Sequence, residues 1–412
     1  MVALTAARRT PRILFVHDNH PAQFGAFGQW LAGQGWEVAF ATSARAPRTA
    51  GLRVISYAPH RAPSSATHPY AQPMDRAALR AQAFVRAALA ARRDGYYPDI
   101  VMAHSGWGAG MFAKDVFPNA LFVPYCEWWY RYPGPDVAYL AALAERESGS
   151  PSIEAPMHER ARNAPIAMDL ASADAAICPT AFQAAQFPSV FRQALTVQHD
   201  GIDSDFYSPA TSADDWTLGG LVPEDARVVT YATRGMEPHR GFPQFMTALP
   251  LILREAGTIA IVAGENRVAY GGDAARRVDW KERAVEMNDI DPARCLFVGH
   301  LDRIAYRALL RRSDVHVYLT VPFVLSWSAL EAMSCGCNLV LSDTAPVREF
   351  ADSVSAVLVD LLNGDVAAAV HRALHDGEAM RRRAGARSAI ESSVSVHRQF
   401  PHKKQWLRSL LG

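Results

Sequence analysis

Several features are scarce in this chain of 412 residues, and each scarcity excludes a class of protein. The formal net charge is only +1, so the sequence lacks the basic surplus with which nucleic-acid-binding proteins hold phosphate backbones. Five cysteines are scattered without a C-x-x-C pair, which argues against a metal module or a disulfide framework. No apolar run reaches the roughly 18 residues of a membrane-spanning helix, and the polar N-terminus is not typical of a secretion signal. We therefore expect a cytoplasmic protein that binds no nucleic acid and no metal.

Apolar residues are abundant, at 50% of the sequence, and the length suits two domains of about 150–200 residues. Short apolar runs alternate with helical segments, which is typical of parallel sheets covered by helices, so we expect an α/β fold. The predicted strands span residues 13–17, 36–42, 100–104, 121–125, 175–178, 196–199, 227–233, 258–263, 295–298, 315–319, 338–342 and 356–359.

A polar stretch over residues 201–224 separates two series of strands and helices. It predicts an N-terminal Rossmann-like domain over 1–205 and a C-terminal Rossmann-like domain over 206–392. The last segment, 393–412, has no strand pattern and predicts a helix that packs back on the N-terminal domain. Two such domains would face a central cleft, where one could hold a nucleotide donor and the other an acceptor.

The most informative stretch, residues 315–349, is interpreted as a strand, a loop, a helix and a second strand. Ser326 or Ser328 is a candidate N-cap, and Glu331 lies in the first turn, where a carboxylate suits the helix dipole. Open α/β sheets bind nucleotides at this kind of strand end.

Five motifs follow one another along the chain: HSGWGAG from His104, VQHDGID over 197–203, ATRGMEPHRGF over 232–242, FVGHL over 297–301 and LEAMSCGCNLVLSD over 330–343. In order and spacing they resemble the retaining glycosyltransferases of family 4 (glycosyl transferase group 1), which have the GT-B fold. The resemblance implies a retaining hexosyltransferase without metal or cofactor. It also implies a nucleotide-diphosphate sugar on the C-terminal domain and a glycan, lipid-linked or small-molecule acceptor on the N-terminal domain.

The leaving diphosphate of such a donor gains negative charge, which fixed cations must stabilise when no metal does so. Arg234 and Arg240 flank a turn after a strand, and guanidinium groups suit phosphate oxygens; solvated surface arginines are the alternative. Arg240 stands where the family usually has a lysine. His104 matches a family histidine near the donor sugar, and Glu331 matches the glutamate that accepts ribose hydroxyl groups.

One position departs from the family pattern. Phe323 replaces the carboxylate that usually contacts the donor sugar, within an FVLSWS sequence over 323–328 that a subset of the family carries. Ser326, Trp327 and Ser328 occupy the loop that normally offers backbone amides, and Trp327 could cover the sugar or belong to the core. The remaining donor-side candidates are Gly25, Gly264, Glu265, Gly299, His300 and Leu301.

The acceptor-side candidates are His17, Asn19, Gln23, Glu127 and Arg162. The first three lie in a polar loop after the first strand, where ordinary turn polarity is the alternative. Glu127 begins an EWWYR sequence whose aromatic rings could stack on sugars or pack together.

Basic residues that punctuate the helix over 74–93, such as Arg80, are compatible either with peripheral contact at the inner membrane face or with a solvated helix face. Two alternative functions stay open: a sugar-nucleotide epimerase or hydrolase of the same fold, and a nucleotide-sugar-binding homologue without catalysis. A phosphorylase would need a pyridoxal-phosphate lysine, and the few lysines, such as Lys281, lie in no convincing motif.

Overall fold

A computed structural model describes residues 10–44, 52–144, 153–210, 220, 222–270 and 273–412. They form two compact units. Unit 1 comprises the described parts of Met1–Tyr132, Pro151–Asp200 and Gln399–Gly412, and unit 2 those of Pro133–Ser150 and Gly201–Arg398. None of the described helices is both long and apolar enough to cross a lipid bilayer.

Each unit contains one parallel sheet. The strands of unit 1 are β1 (Arg12–Val16), β2 (Glu37–Thr42), β3 (Arg53–Ser56), β4 (Ile100–His104), β5 (Leu121–Tyr125), β6 (Ala176–Cys178) and β7 (Leu195–Val197), in the spatial order β3-β2-β1-β4-β5-β6-β7. Those of unit 2 are β8 (Arg227–Gly235), β9 (Thr258–Glu265), β10 (Cys295–Gly299), β11 (Val315–Tyr318), β12 (Leu339–Ser342) and β13 (Val357–Val359), in the order β10-β9-β8-β11-β12-β13.

Helices connect successive strands. In chain order they are α1 (Gly25–Gly33), α2 (Gln72–Arg93), α3 (Ala113–Val116), α4 (Pro135–Ala144), α5 (Ala155–Ala161), α6 (Ala164–Ala171), α7 (Ala181–Ala184), α8 (Ser189–Arg192), α9 (Phe242–Ile252), α10 (Asp273–Arg276), α11 (Trp280–Met287), α12 (Arg303–Arg312), α13 (Trp327–Ser334), α14 (Ala345–Arg348), α15 (Val366–His375), α16 (Ala379–Ser393) and α17 (Val396–Leu410). Short 3₁₀ turns span Ala22–Phe24, Pro69–Ala71 and Pro238–Arg240.

The central strands are apolar on both faces because helices cover both sides of a parallel sheet. In unit 1, Leu14 and Phe15 of β1 point to opposite faces, and neither is exposed to solvent. In unit 2, Tyr231 of β8 stacks on Phe245 of α9, with ring centroids 4.7 Å apart. These cores hold the strand ends in fixed positions.

The predicted α/β fold with two parallel-sheet domains is confirmed. Strand β3 was not predicted, because the four-residue edge sequence RVIS has one fully buried side chain, Ile55. The described residues 133–144 group with unit 2, although the sequence suggested one division near 205. There, Tyr139 of α4 donates a hydrogen bond to Asp360.

The C-terminal segment is helical as α17, and its described part from Gln399 onward belongs to unit 1. The side chains that it buries are Phe400, Lys403 and Leu407. The apolar pattern alone suggested Trp406, Leu407, Leu410 and Leu411, but Leu411 is exposed. A buried lysine on this face cannot be inferred from apolar periodicity.

Two glycines at the ends of β9 allow a matched stability test. Gly264 has φ +134°, and an added Cβ would lie 2.1 Å from the Thr233 carbonyl oxygen, whereas Gly257 has φ +74° and open space around it. We expect Gly257→Ala to lower the free energy of unfolding by about 1 kcal/mol through its backbone conformation alone. Gly264→Ala should cost at least about 2–3 kcal/mol because a steric clash is added. Denaturant unfolding of both variants measures the difference; equal losses would contradict this packing.

Candidate functional site

Both sheets have a topological switch point, where the strand order reverses and the loops that leave two neighbouring strands diverge. In unit 1 the switch point lies between β1 and β4, and in unit 2 between β8 and β11. Ligands of open α/β sheets bind beyond the carboxyl ends of such strands.

Two histidines meet at the switch point of unit 1. His17 follows β1 and His104 ends β4; both are buried, and their ring centroids lie 4.6 Å apart. Burial and the neighbouring His104 lower the pKa of His17 to about 2, so its ring is neutral at physiological pH. His17 Nδ1 accepts a hydrogen bond from the amide of Asn19, which leaves the proton on Nε2.

Glu127 lies beside the histidine pair. Its carboxylate is 3.4 Å from His104 Nε2, and it accepts a hydrogen bond of 3.2 Å from Gln23 Nε2. His104 Nδ1 lies 3.0 Å from the carbonyl oxygen of Ser105, which can only accept, so we assign a proton to Nδ1. The loop that contains three acceptor-side candidates, His17, Asn19 and Gln23, thus comes together with Glu127 and His104, which lie far from it in sequence.

Two other unit 1 candidates have internal partners. Arg162 stacks on Tyr130, with its guanidinium carbon 3.5 Å from the ring centroid, and it pairs with Glu159. The amide of Gly25 donates to the carbonyl of Pro21 within the turn that starts α1. These contacts fix the position of both residues, and their roles toward a ligand remain predictions.

Trp107 is a site residue that sequence reasoning missed. It is 37% exposed, and its ring centroid lies 6.0 Å from that of His17. Gly106 and Gly108 on either side have φ +89° and +98°, and Gly108 packs against the backbone of Ala77. The Gly-Trp-Gly sequence after a strand could have indicated this residue. Two glycines in the left-handed conformation hold the indole between them outside the core.

Arg80 of α2 also belongs to this site rather than to a solvated helix face. Its side chain forms an ion pair with the buried Asp18 and lies over the ring of Trp107, 5.5 Å from its centroid. Tyr57 donates a hydrogen bond of 2.7 Å to the same carboxylate. Burial raises the pKa of Asp18, while Tyr57 and Arg80 oppose that shift.

A second buried carboxylate holds the loop after His104. Asp169 of α6 accepts hydrogen bonds from the hydroxyl of Ser105 and the amide of Gly106. Its burial raises its pKa to about 7 despite these donors. The loop that carries Trp107 is therefore anchored by a group that titrates near neutral pH.

A buried charge pair supports the end of β5. Tyr125 donates to Asp200 over 2.8 Å, and Lys403 Nζ lies 3.8 Å from the other carboxylate oxygen. Burial lowers the pKa of Lys403 and raises that of Asp200, and their mutual attraction opposes both shifts. The ring of Tyr125 lies 5.3 Å from that of His104, so α17 contributes to positioning the histidine pair.

In unit 2 the switch point contains a buried arginine. Arg240 is 4% exposed, and its Nη1 donates to the hydroxyl groups of Tyr318 and Thr320 and to the carbonyl of Val324. Its guanidinium carbon also lies 4.9 Å from the ring centroid of Tyr270. It is thus a fixed cation that organises the loop after β11, and not a solvated surface residue.

The turn between β8 and α9 is held in place by a buried glutamate. Glu237 is fully buried, and its carboxylate accepts hydrogen bonds from the amides of Ala269 and Tyr270. Arg234, the penultimate residue of β8, is exposed. At the end of β9, Glu265 is exposed and pairs with Arg267. Among the predicted donor-side residues, Arg234 and Glu265 therefore carry charges that solvent reaches at the ends of β8 and β9.

The FVLSWS loop is organised by its own contacts. Phe323 packs against His239 and Tyr270, with ring centroids 5.8 and 5.1 Å away. Ser326 caps α13 by accepting from the amide of Ser328, and the amide of Ser326 donates to the hydroxyl of Tyr318. The amides of both serines thus have protein partners. Trp327 is 37% exposed and does not belong to the core.

Glu331 of α13 is the centre of a polar cluster in unit 2. It is partly buried, and burial raises its pKa to about 7, whereas the hydroxyl of Tyr207 and the charge of Arg303 oppose that shift. Arg303 lies two residues beyond Leu301 and pairs with Asp203 over 3.3 Å. The predicted base-reading turn, Gly299 to Leu301, thus runs directly into this cluster.

Sequence reasoning missed Tyr207 and Arg303. Tyr207 lies within the stretch that was interpreted as a linker, and Arg303 opens α12 without a motif of its own. Gly299 has φ +68°, which a turn after β10 requires, and His300 is exposed.

The geometry defines a two-unit α/β protein with a polar site at each switch point, and comparisons with known proteins agree with it. Sequence models described as "Glycosyl transferase family 4 group" and "Glycosyl transferases group 1" match residues 34–207 and 226–376. The chain therefore carries glycosyl transferase group 1 domains, and its fold is GT-B. A comparison with curated proteins found no match.

Three similar solved structures cover nearly the whole chain. Sucrose-phosphate synthase from Thermosynechococcus elongatus is 18% identical with a TM-score of 0.71, and 98% of this chain and 99% of that one are covered. Anabaena HepE in complex with UDP and glucose is 14% identical with a TM-score of 0.66, covering 96% and 99%. The catalytic domain of starch synthase IV from Arabidopsis thaliana, bound to ADP and acarbose, is 13% identical with a TM-score of 0.66, covering 98% and 99%.

Arg234 at the end of β8 and Arg240 in the turn that follows should differ sharply in their effect on stability. Arg240→Ala removes three hydrogen bonds from buried oxygens, and we expect it to lower the free energy of unfolding by about 2–4 kcal/mol. Arg234→Ala alters an exposed side chain and should change it by less than about 0.5 kcal/mol. Urea denaturation measures both values, and similar losses in the two variants would contradict the cage around Arg240.

Proposed function

We propose that this protein is a glycosyltransferase that moves a hexose from a nucleotide-diphosphate sugar to an acceptor hydroxyl group, with retention of anomeric configuration and without a metal ion. The observation that carries the proposal is that glycosyl transferase models match both halves of the chain. Each matched half contains one of the polar clusters or lies beside its residues. Membership of family 4, and of a subset with the FVLSWS loop, is part of this proposal.

Unit 2 is proposed to bind the donor. The carboxylate of Glu331 would accept hydrogen bonds from the ribose hydroxyl groups, since its cluster with Tyr207 and Arg303 adjoins the turn over 299–301. The exposed Arg234 would contact the diphosphate, and the buried Arg240 would add positive charge from within the loop. Solved neighbours bind UDP or ADP, so uracil and adenine are the first bases to test.

Unit 1 is proposed to bind the acceptor, with Trp107 as the stacking surface for a sugar ring. The aliphatic face of a sugar packs well on an exposed indole, and the neutral His17, Gln23 and Glu127 offer hydrogen-bond partners for its hydroxyl groups. This arrangement favours a saccharide acceptor. Cytoplasmic location and contact with the inner membrane face remain predictions.

In the proposed reaction the bond between the anomeric carbon and the diphosphate oxygen breaks, and the acceptor oxygen bonds to the same face of that carbon. The proton of the acceptor passes to the departing phosphate oxygen, so no protein nucleophile is needed. His104 would orient the donor sugar from the end of β4. Phe323 replaces a carboxylate in the family pattern and packs against aromatic rings, so other groups must hold the sugar hydroxyls.

Nucleotide binding should depend on the protonation of Glu331. Because its pKa is about 7, the carboxylate fraction rises about tenfold between pH 6 and pH 8. We expect calorimetric binding of UDP, GDP, ADP or TDP to tighten across this range, and the tightening to disappear in Glu331→Gln. Glu391→Gln, which alters an exposed carboxylate paired with Arg387, is the control. Equal affinity of wild type and Glu331→Gln at pH 8 would contradict the ribose assignment.

Acceptor use should depend on Trp107. The test uses a sugar acceptor that supports transfer. Trp107→Ala should raise the KM for this acceptor about tenfold because stacking is lost, while the affinity for nucleotide stays unchanged. Tyr97→Ala is the matched control, since Tyr97 is 50% exposed and has Arg92 over its ring but precedes β4 instead of following it. Sugar release at the same rate with and without acceptor would favour the epimerase or hydrolase alternative. Nucleotide binding without turnover would favour a non-catalytic homologue.

A further inference from the structure

Unit 2 contains a second cluster of ionisable side chains, which lies at the amino ends of its strands. Glu255 lies between α9 and the start of β9, and His371 and His375 lie four residues apart on α15. One ligand atom from each residue lies within 4.8 Å of the others, and this is the only such group of three among the described residues. The proposed transfer reaction uses none of these residues.

The distances in this cluster fit a tetrahedral metal ion. One oxygen of Glu255, Oε2, lies 3.4 Å from His371 Nδ1 and 3.0 Å from His375 Nε2. Zinc holds nitrogen and carboxylate ligands at about 2.0–2.2 Å in tetrahedral geometry, which separates neighbouring ligand atoms by about 3.3 Å. Histidines at positions i and i+4 of a helix project from the same face, so both reach one ion.

The hydrogen bonds around the cluster favour the same interpretation. His371 Nε2 lies 3.4 Å from the carbonyl oxygen of Leu251, which can only accept a proton. With a proton on Nε2 donated to this carbonyl, Nδ1 is the ring nitrogen that faces the Glu255 carboxylate, which is the position of a metal ligand. Metal-bound histidines commonly donate their second N–H to a backbone carbonyl in this manner.

The other carboxylate oxygen is occupied separately. Arg227, the first residue of β8, forms an ion pair with Glu255 through Oε1, which leaves Oε2 directed toward the two histidines. An outer hydrogen-bond donor of this kind orients a carboxylate ligand. The glutamate lies more than a hundred residues before the two histidines, so an ion there would link the end of α9 to α15.

We propose that Glu255, His371 and His375 bind one divalent zinc ion, with water in the fourth position, and that the ion braces α15 against the end of α9. Nitrogen and carboxylate ligands suit zinc better than magnesium or calcium, which prefer oxygen ligands alone. The site lies at the amino ends of β8 and β9, so binding of the ion is independent of the proposed transfer, which involves residues at the carboxyl ends of the strands.

The test uses the full-length protein after chelator treatment, titrated with zinc against a chromophoric chelator. We expect one zinc ion per chain in wild type and an increase in the thermal unfolding midpoint at saturating zinc. His371→Ala and His375→Ala should each weaken binding by more than the 10–100-fold typical of outer-shell changes. Cobalt in place of zinc should give the intense visible absorption of a tetrahedral complex in wild type only.

His397→Ala is the matched control, because His397 is an exposed helical histidine that faces a single carboxylate, Asp205. It should retain wild-type zinc affinity. Thermal unfolding without metal verifies that each variant is folded, which is expected since both ligand histidines lie at the surface. Zinc affinity of the His371→Ala/His375→Ala double variant equal to that of wild type, or no binding by wild type at about 10 µM zinc, would overturn the proposal.

Discussion

The constraint on which this structure depends is the reversal of strand order in each parallel sheet. Where the chain returns to the centre and adds its fourth strand beside its first, the two following loops must leave toward opposite faces of the sheet. Neither loop fills the gap that opens between the two loops beyond the strand ends. Side chains from the two strand ends therefore face each other in this gap. His17 and His104 meet for this reason in unit 1, and Arg240 meets the loop after β11 for the same reason in unit 2.

The two switch points differ in the charges that they contain. In unit 1, burial keeps His17 neutral, and the buried carboxyl groups of Asp18 and Asp200 are each paired with one cation, Arg80 and Lys403, so the charges balance. In unit 2, a guanidinium group that stays charged at all relevant pH values is surrounded by hydroxyl and carbonyl oxygens. A neutral polar surface suits a sugar, whereas a fixed cation suits a diphosphate. The proposed division of donor and acceptor follows from this contrast.

Sequence reasoning located the strands well, because buried parallel strands are short continuous apolar runs, and with them it located the strand-end residues His17 and His104. Glu331 of α13 was singled out by its motif instead. It could not identify partners that arrive from other elements. Arg80 resembled a solvated helix residue until α2 brought it to Asp18, and Tyr207 lay in a stretch without strand or helix pattern. Backbone amides were also beyond its reach: those of Gly25, Ser326 and Ser328 have partners inside the protein, which depends on turn geometry that side-chain identity does not encode.

The charge pair of Lys403 and Asp200 has a consequence for biosynthesis. Unit 1 is assembled from segments of the chain that leave the ribosome at very different times, because the whole stretch from Gly201 to Arg398 is synthesised between these two residues. Until α17 emerges, the nascent unit has a buried carboxylate without its cation and uncovered aromatic rings such as Phe27, which Phe400 contacts in the finished protein. The N-terminal sheet can therefore form early, but the surroundings of Tyr125 and His104 are completed only after the last helix has left the ribosome.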